Sequence, residues 1–391
     1  MLPVASADGT FTSAADAFFT STSAVTVTGL TVVNTSDYWS SFGHGVIFTL
    51  MLIGGLGFMS FATFLLIIIG QRITLPERMM IRDTLGGDRL GGVVSILKRI
   101  VLVVVAIYAA GFLLIFWQMS DLFPTGTALW QSAFLSVSSF NNAGFVIIPD
   151  SSSLEYMSRQ FQILTFMGVL IALGGIGWVV IVDVYRKRRF SRLTLDTKMI
   201  VVPSLFLWLT GALVFFLAEY TNQSTIGTLP LHEKVYYGFF ESISGRTAGF
   251  STIAFNGVTD LTKLFFTFLM FIGGGAGSVA GGIKVGTFAV IVASVVSSLK
   301  GRLQAEAFGR ELPQVQVHRA LTVVVLGGGI IFIISLVLTL TETNTEIAFL
   351  DLLFESVSAF GTTGLSLGVA PLLTVWGKMM LIILMVLGRL G

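Results

Sequence analysis

Phe19-Thr-Ser-Thr-Ser-Ala-Val-Thr-Val-Thr-Gly29-Leu, Phe134-Leu-Ser-Val-Ser-Ser-Phe-Asn-Asn-Ala-Gly144-Phe, Phe240-Glu-Ser-Ile-Ser-Gly-Arg-Thr-Ala-Gly249-Phe and Phe354-Glu-Ser-Val-Ser-Ala-Phe-Gly-Thr-Thr-Gly364-Leu are four versions of one phrase, their final glycines 115, 105 and 115 residues apart. Each closes a stretch rich in Phe, Ser and Ala, near 13–25, 128–140, 235–245 and 348–360. Such a stretch offers about 10 to 13 residues suited to a helix, which at about 1.5 Å of rise per residue reaches only halfway through bilayer hydrocarbon. One copy is equally an amphipathic loop outside the membrane or a re-entrant half-helix. Four copies favour the half-helix, because an internal repeat marks one structural unit used again.

Outward from these phrases, stretches apolar for long enough to span a bilayer fall near 43–70, 96–119, 161–184, 199–219, 262–298 and 319–340, and a seventh, 376–390, stops with the chain. The span after each phrase carries a second glycine marker: Gly54-Gly-Leu-Gly57, Gly174-Gly-Ile-Gly177, Gly273-Gly-Gly-Ala-Gly277 and Gly388-Arg-Leu-Gly391. The expected fold is an all-α polytopic membrane protein. Its four tandem units of helix, half-helix, polar loop and helix are set in pseudo-fourfold fashion around one pore, over 1–93, 94–196, 197–316 and 317–391. The first unit is expected to lack its outer helix and the last to have a shortened inner helix. Residues 1–15 show no basic and apolar leader pattern.

Composition points the same way. Of 391 residues, 54% are hydrophobic and 11% charged, against about 25% charged in a soluble protein, which is too few to cover a water-facing surface. The 43 glycines and 34 phenylalanines suit helices packed in lipid. Cysteine is absent, which excludes disulfides and thiolate chemistry, and His44, His232 and His318 are too scattered for a metal site. The net charge of +2 conceals a separation. Sixteen basic residues crowd the loops 71–99, 185–198 and 299–319, with seven acids on that side of the membrane, while the opposite side holds four (Arg159, Lys234, Lys263, Lys378) beside fourteen. Basic short loops stay in the cytoplasm, so the half-helices dip in from outside through an acidic mouth.

A polar loop at membrane depth survives only inside protein or along a water-filled path. Four such loops around one axis would offer backbone carbonyls in place of a cation's hydration shell, with the negative ends of the half-helix dipoles beneath them. The candidate carbonyls are those of Thr26, Val27, Thr28 and Gly29, of Asn141, Asn142, Ala143 and Gly144, of Arg246, Thr247, Ala248 and Gly249, and of Gly361, Thr362, Thr363 and Gly364. Only the last glycine is common to all four, the residue that reaches positive φ without steric cost. Fewer ion sites and looser selectivity than in a channel of identical loops are therefore expected.

The loops Thr26-Val-Thr-Gly-Leu30, Asn141-Asn-Ala-Gly-Phe145, Arg246-Thr-Ala-Gly-Phe250 and Gly361-Thr-Thr-Gly-Leu365 resemble, in order, the four filters of the Trk/Ktr/HKT superfamily of potassium transporters. The resemblance covers essentially the whole chain and is closest to the membrane subunit of the bacterial Ktr system. It implies K+ as the transported ion, Na+ as a candidate activator and no organic cofactor, in the cytoplasmic (inner) membrane of a bacterium. It also implies a homodimer set in membrane lipid and gated by a cytosolic nucleotide-binding ring of the RCK type, with no nucleic-acid partner. Sodium-selective plant-type relatives carry serine where Gly29 stands, which favours potassium here.

Gly273, Gly274, Gly275, Ala276, Gly277, Ser278, Val279, Ala280, Gly281 and Gly282, followed by Lys284, interrupt the span 262–298. A phosphate-cradling loop is one reading, but the GxxxxGK[ST] pattern is missing. A glycine packing seam is another. The favoured reading is a flexible intramembrane loop that obstructs conduction beneath the filter. It is similar to the family's gating loop, which often has threonine at the place of Val279. Arg246 is expected to brace the third filter by pairing with Glu241 or Glu355, since an unpaired charge in the membrane is expensive. Lys284 and Arg389 either form a cation barrier at the inner pore or snorkel to the inner surface. An alternating-access carrier would call for inverted or paired repeats, and an intramembrane enzyme for an acid/base or metal constellation; neither is evident. A less selective sodium/potassium channel and a nonconducting assembly subunit remain alternatives.

Overall fold

In chain order the helices of the computed structural model are α1 (Ala14–Val25), α2 (Ser41–Leu56), α3 (Val93–Met119), α4 (Thr125–Phe140), α5 (Phe161–Ile176), α6 (Trp178–Lys187), α7 (Leu195–Glu219), α8 (Leu231–Thr247), α9 (Asp260–Phe271), α10 (Val285–Leu299), α11 (Gln314–Thr341), α12 (Phe349–Gly361) and α13 (Val375–Leu390). The structure describes residues 1–57, 93–148, 154–157, 159–342 and 347–390. Among these, the two-residue strands Glu306–Ala307 (β1) and Arg310–Glu311 (β2), paired antiparallel, form the only sheet.

Backbone polar groups in hydrocarbon must be satisfied within their own segment, so long apolar runs become helices. Helices α3, α7 and α11, of 27, 25 and 28 residues, are about 40 Å long and exceed the ~30 Å hydrocarbon core. Their outward faces are apolar: Leu102, Leu113 and Trp117 on α3, Phe206, Leu213 and Leu217 on α7, and Val325, Ile333 and Leu340 on α11 are all exposed. Polar side chains such as Ser204 and Ser335 are buried instead. The surface is that of a protein solvated by lipid.

Two expected spans are broken. The stretch 161–184 bends by 96° at Gly177, between α5 and α6. Gly177 has φ 94°, and a Cβ there would lie 3.0 Å from Ala276 O and 3.2 Å from Ser278 N. Apolar residues continue on both sides of this glycine, so hydropathy alone hides the break. The stretch 262–298 separates into α9 and α10 around a loop whose mouth is stitched by a parallel bridge between Ile272 and Ile283 and by Gly273 N donating to Ile283 O at 2.8 Å. The span expected over 43–70 is described as α2 only; 58–70, the basic residues Arg72, Arg78, Arg82 and Arg89, and Gly391 lie outside the described residues. Helices α4 and α8 run to 16 and 17 residues, longer than expected, because each starts on a proline N-cap (Pro124, Pro230) and adds a polar turn before its apolar part.

The short helices α1, α4, α8 and α12 each pack against the helix that follows their loop and against the corresponding helix one step back: α4 on α5 and α2, α8 on α9 and α5, α12 on α13 and α9, and α1 on α2 and α13. The phrase phenylalanines Phe19, Phe134, Phe240 and Phe354 are buried in these seams. Each step-back seam has its own chemistry. Phe48 and Trp130 bring their rings to 5.5 Å. Thr165 and Tyr236 hydroxyls lie 2.8 Å apart, Lys263 pairs with Asp351 at 2.9 Å, and Lys378 pairs with Asp16 at 2.7 Å.

Candidate functional site: four polar loops and the glycine loop beneath them

Ser23, Ser138, Ser244 and Ser358 stand four residues after the phenylalanine of each phrase, in the last turns of α1, α4, α8 and α12. Their carbonyls accept from Thr28 N (2.8 Å), Ala143 N (2.8 Å), Gly249 N (3.1 Å) and Thr363 N (2.9 Å), which folds each loop back over its helix end. The hydroxyls of Ser138 and Ser244 donate to Phe145 O and Phe250 O at 2.8 and 2.5 Å, and that of Ser358 accepts from Gly364 N at 3.1 Å. None of these serines is singled out by the sequence reading, although the Phe-x-x-x-Ser spacing is present in every phrase. Val27, Asn142 and Thr362, two residues before the loop glycines, hold φ of 52°, 55° and 47°. The third loop is one residue shorter and lacks this left-handed step, with Thr247 still in α8.

Gly29, Gly144, Gly249 and Gly364 all have positive φ, between 71° and 88°, but their closer constraint is one another. A Cβ on Gly29 would sit 2.5 Å from Ala143 O, and one on Gly144 2.7 Å from Ala248 O. Cβ atoms on Gly249 and Gly364 would run into Thr363 O and Thr28 O. Each glycine thus abuts the carbonyl that precedes the glycine of the next loop, and the fourth abuts the first. All four glycines line one cavity of about 430 Å³.

The loop side chains are spent on bracing. Thr26 Oγ1 donates to Thr22 O and lies 2.7 Å from Thr28 Oγ1. Asn141 accepts from the Tyr108 hydroxyl at 2.6 Å and donates to Met51 O at 3.0 Å. In the amide orientation that satisfies both ends, Asn142 accepts from Thr247 Oγ1 (2.8 Å) and donates to Ile171 O and Ser139 O (3.2 and 3.0 Å). Thr363 Oγ1 donates to Arg246 O at 3.4 Å. These bonds leave the main-chain carbonyls as the groups available to an ion.

Arg246 is not paired with a half-helix acid. Its Nη2 donates to Gly273 O at 2.8 Å, its guanidinium lies 5.5 Å from the centre of the Trp208 ring, and Nε and Nη1 are buried with no partner among the described residues. The acids are engaged elsewhere, and this is why the expected pairing fails. Glu241 accepts from Thr252 N and Oγ1, both at 2.7 Å. Glu355 accepts from Ser366 Oγ (2.5 Å), Leu367 N (2.9 Å) and Val369 N (3.4 Å). Each carboxylate pins the chain just outside its own loop.

Beneath the loops, 273–282 is held from every side. Gly275 N donates to Gly175 O at 2.8 Å and Val279 N to Gly174 O at 3.3 Å, both at the end of α5. Gly282 N donates to Gly388 O at 3.0 Å, Val285 N to Gly274 O at 2.9 Å, and Gly281 N to Thr362 Oγ1 of the fourth polar loop at 3.0 Å. Arg389 donates to Val279 O and to Gly54 O of α2. Lys284 Nζ donates to Ala280 O at 2.6 Å. Neither cation snorkels away; both hold loop carbonyls. Gly54, Gly174 and Gly388 of the second markers permit close packing instead, since a Cβ on each would meet Val25 O, Phe140 O or Phe360 O at the end of a half-helix.

Comparison with known proteins shows the family. The family described as "TrkH: Cation transport protein" matches residues 2–391. The chain is 38% identical over 376 residues, 96% of its length and 83% of the relative's, to "Ktr system potassium uptake protein B" of Bacillus subtilis. It is 35% identical over 391 residues, 100% of its length and 86% of the relative's, to "Potassium/sodium uptake protein NtpJ" of Enterococcus hirae. Among solved structures it resembles the potassium transporter TrkH from Vibrio parahaemolyticus, with a TM-score of 0.73 at 19% identity, covering 97% of this chain and 76% of that one. The chain belongs to the TrkH family of cation transport proteins, among the Ktr- and Trk-type potassium uptake transporters.

Proposed function

We propose that the chain admits K+ through a single pore on the axis of its four polar loops, which enter from outside as the filters of four pseudo-symmetric units. The observation that carries this reading is the closed succession of glycine against carbonyl, Gly29 on Ala143, Gly144 on Ala248, Gly249 on Thr363 and Gly364 on Thr28. An ion on that axis meets carbonyls from every loop and none of the braced side chains, the arrangement that replaces a hydration shell.

Residues 273–282 with Lys284 and Arg389 are the gate in this reading, shut by the hydrogen bonds that tie the loop to α2, α5, α13 and two filters. Opening has to break them, so an opening ligand must favour the open state in free energy. A cytosolic nucleotide-binding ring acting on the basic loops 185–198 and 299–319 of a dimer fits the Ktr system named in the Bacillus relative, with Na+ a candidate activator. A less selective potassium/sodium pore is the second reading, favoured by the NtpJ name and by filters that share only their glycine.

Reconstitution into liposomes tests the proposal by K+, Rb+ and Na+ flux in the unmodified chain and in Gly29→Ser. K+ and Rb+ flux well above Na+ flux is expected, with the ratio falling in the serine variant. Equal K+ and Na+ flux in the unmodified chain moves the conclusion to the second reading, and no flux of any cation, with or without the partner ring, defeats the pore.

A further inference from the structure

The cavity lined by the four loop glycines contains one charged group among the described residues, Glu155. The remainder of its lining is glycine, small polar residues and apolar residues such as Val32, Phe145 and Leu365. Glu155 is exposed to the cavity, but its backbone is built in. It begins a single helical turn, Glu155–Met157, whose neighbours Leu154 and Met157 are fully buried. Leu154 N donates to Ser251 O at 2.9 Å, two residues after the third filter glycine. The backbone that carries the carboxylate is therefore tied to the segment that follows the third filter glycine.

The basic residues of the outer face do not compete for this cavity. Lys263 and Lys378 are spent on Asp351 and Asp16 in the seams between half-helices and inner helices. Lys234 donates to Tyr220 O at 2.7 Å and Gly227 O at 2.9 Å and lies over the Tyr220 ring. Arg159 is exposed four residues beyond Glu155 and does not line the cavity. A negative charge inside a recess with low-dielectric walls is focused rather than screened, and raises the local concentration of cations.

We propose that Glu155 concentrates monovalent cations at the filter mouth and so sets the external K+ concentration at which uptake half-saturates. This rests on the pore reading. Among the described residues Glu155 makes no bond to the filter, so it acts on capture and leaves the maximal rate alone. One charge acting across such a cavity changes local cation concentration by about two- to five-fold at low ionic strength, and the effect fades as the Debye length shrinks to about 3 Å near 1 M salt.

The test is the KM and maximal rate of K+ uptake into liposomes for the unmodified chain, Glu155→Gln, Glu155→Lys and Arg159→Gln, in low salt and in high N-methylglucamine chloride. Glu155→Gln is expected to raise KM about two- to five-fold in low salt, with Glu155→Lys raising it further and the maximal rate unchanged. High salt is expected to bring all KM values together, and Arg159→Gln is expected not to raise KM. An unshifted KM in both Glu155 variants, a salt-independent loss of maximal rate, or an Arg159→Gln effect of the same sign overturns the inference while leaving the pore intact. A wild-type chain that conducts no cation defeats the pore reading itself, and this inference with it.

Discussion

Gly364 shows how little freedom a single position has. Its φ is 86° and the space for a Cβ is occupied by Thr28 O of the first loop, so strain and overlap act together; a non-glycine residue held in a sparsely populated backbone region costs about 1–3 kcal/mol before any clash. Gly364→Ala should leave a folded, monodisperse protein whose K+ flux falls by at least about ten-fold, which liposome uptake would show; unchanged flux would mean that the glycines do not frame the ion path. At this scale the glycines were legible because they recur at fixed spacing. The partner of Arg246 was not, since Glu241 and Glu355 each turn one carboxylate oxygen to backbone amides 11 and 12 residues downstream, and nothing in sequence spacing announces a carboxylate that faces the main chain rather than a cation. The four serines after the phrase phenylalanines were readable by the same recurrence that revealed the glycines, but a serine in an apolar helix carries no chemistry of its own to draw notice.

Among the elements, the loop between α9 and α10 carries the most consequence. Arg389 joins it to α2 through Val279 O and Gly54 O, and hydrogen bonds to a charged group contribute about 1.5–3 kcal/mol. Arg389→Gln should therefore shift the closed-to-open balance by roughly ten-fold or more, seen as higher basal K+ flux without the regulatory partner, and removal of residues within 274–281 should raise it further. Flux that stays at the unmodified level in both folded variants would refute a gate at this place. The interruption of α9–α10 was plain from its run of glycines. The break between α5 and α6 was not, because Gly174-Gly-Ile-Gly177 sits in apolar sequence that runs on to Val184, and the bend at Gly177 depends on the glycine loop packed against it, a contact made across 100 residues of chain.

For the whole molecule, the seams decide whether four half-helices act as one filter. The last of them joins the two ends of the chain through Asp16 and Lys378, both largely buried. A double-mutant cycle on Asp16→Asn and Lys378→Gln should give a coupling of about 0.5–1 kcal/mol in thermal or denaturant unfolding, weaker at high salt; additive effects would place no energy in this closure. The helical membrane fold was legible in the long apolar runs, whereas the seams between the short helices were not, because each uses different residues: aromatic rings, a hydroxyl pair and two ion pairs. The central claim is that the carbonyls of Thr28, Ala143, Ala248 and Thr363, set against the four glycines, hold a dehydrated potassium ion. The most direct measurement is a crystal structure in Rb+ with anomalous data. An anomalous peak on the axis among these four carbonyls, weakened in Gly364→Ala, is the predicted result; ordered Rb+ elsewhere in the protein with none at this ring would contradict it.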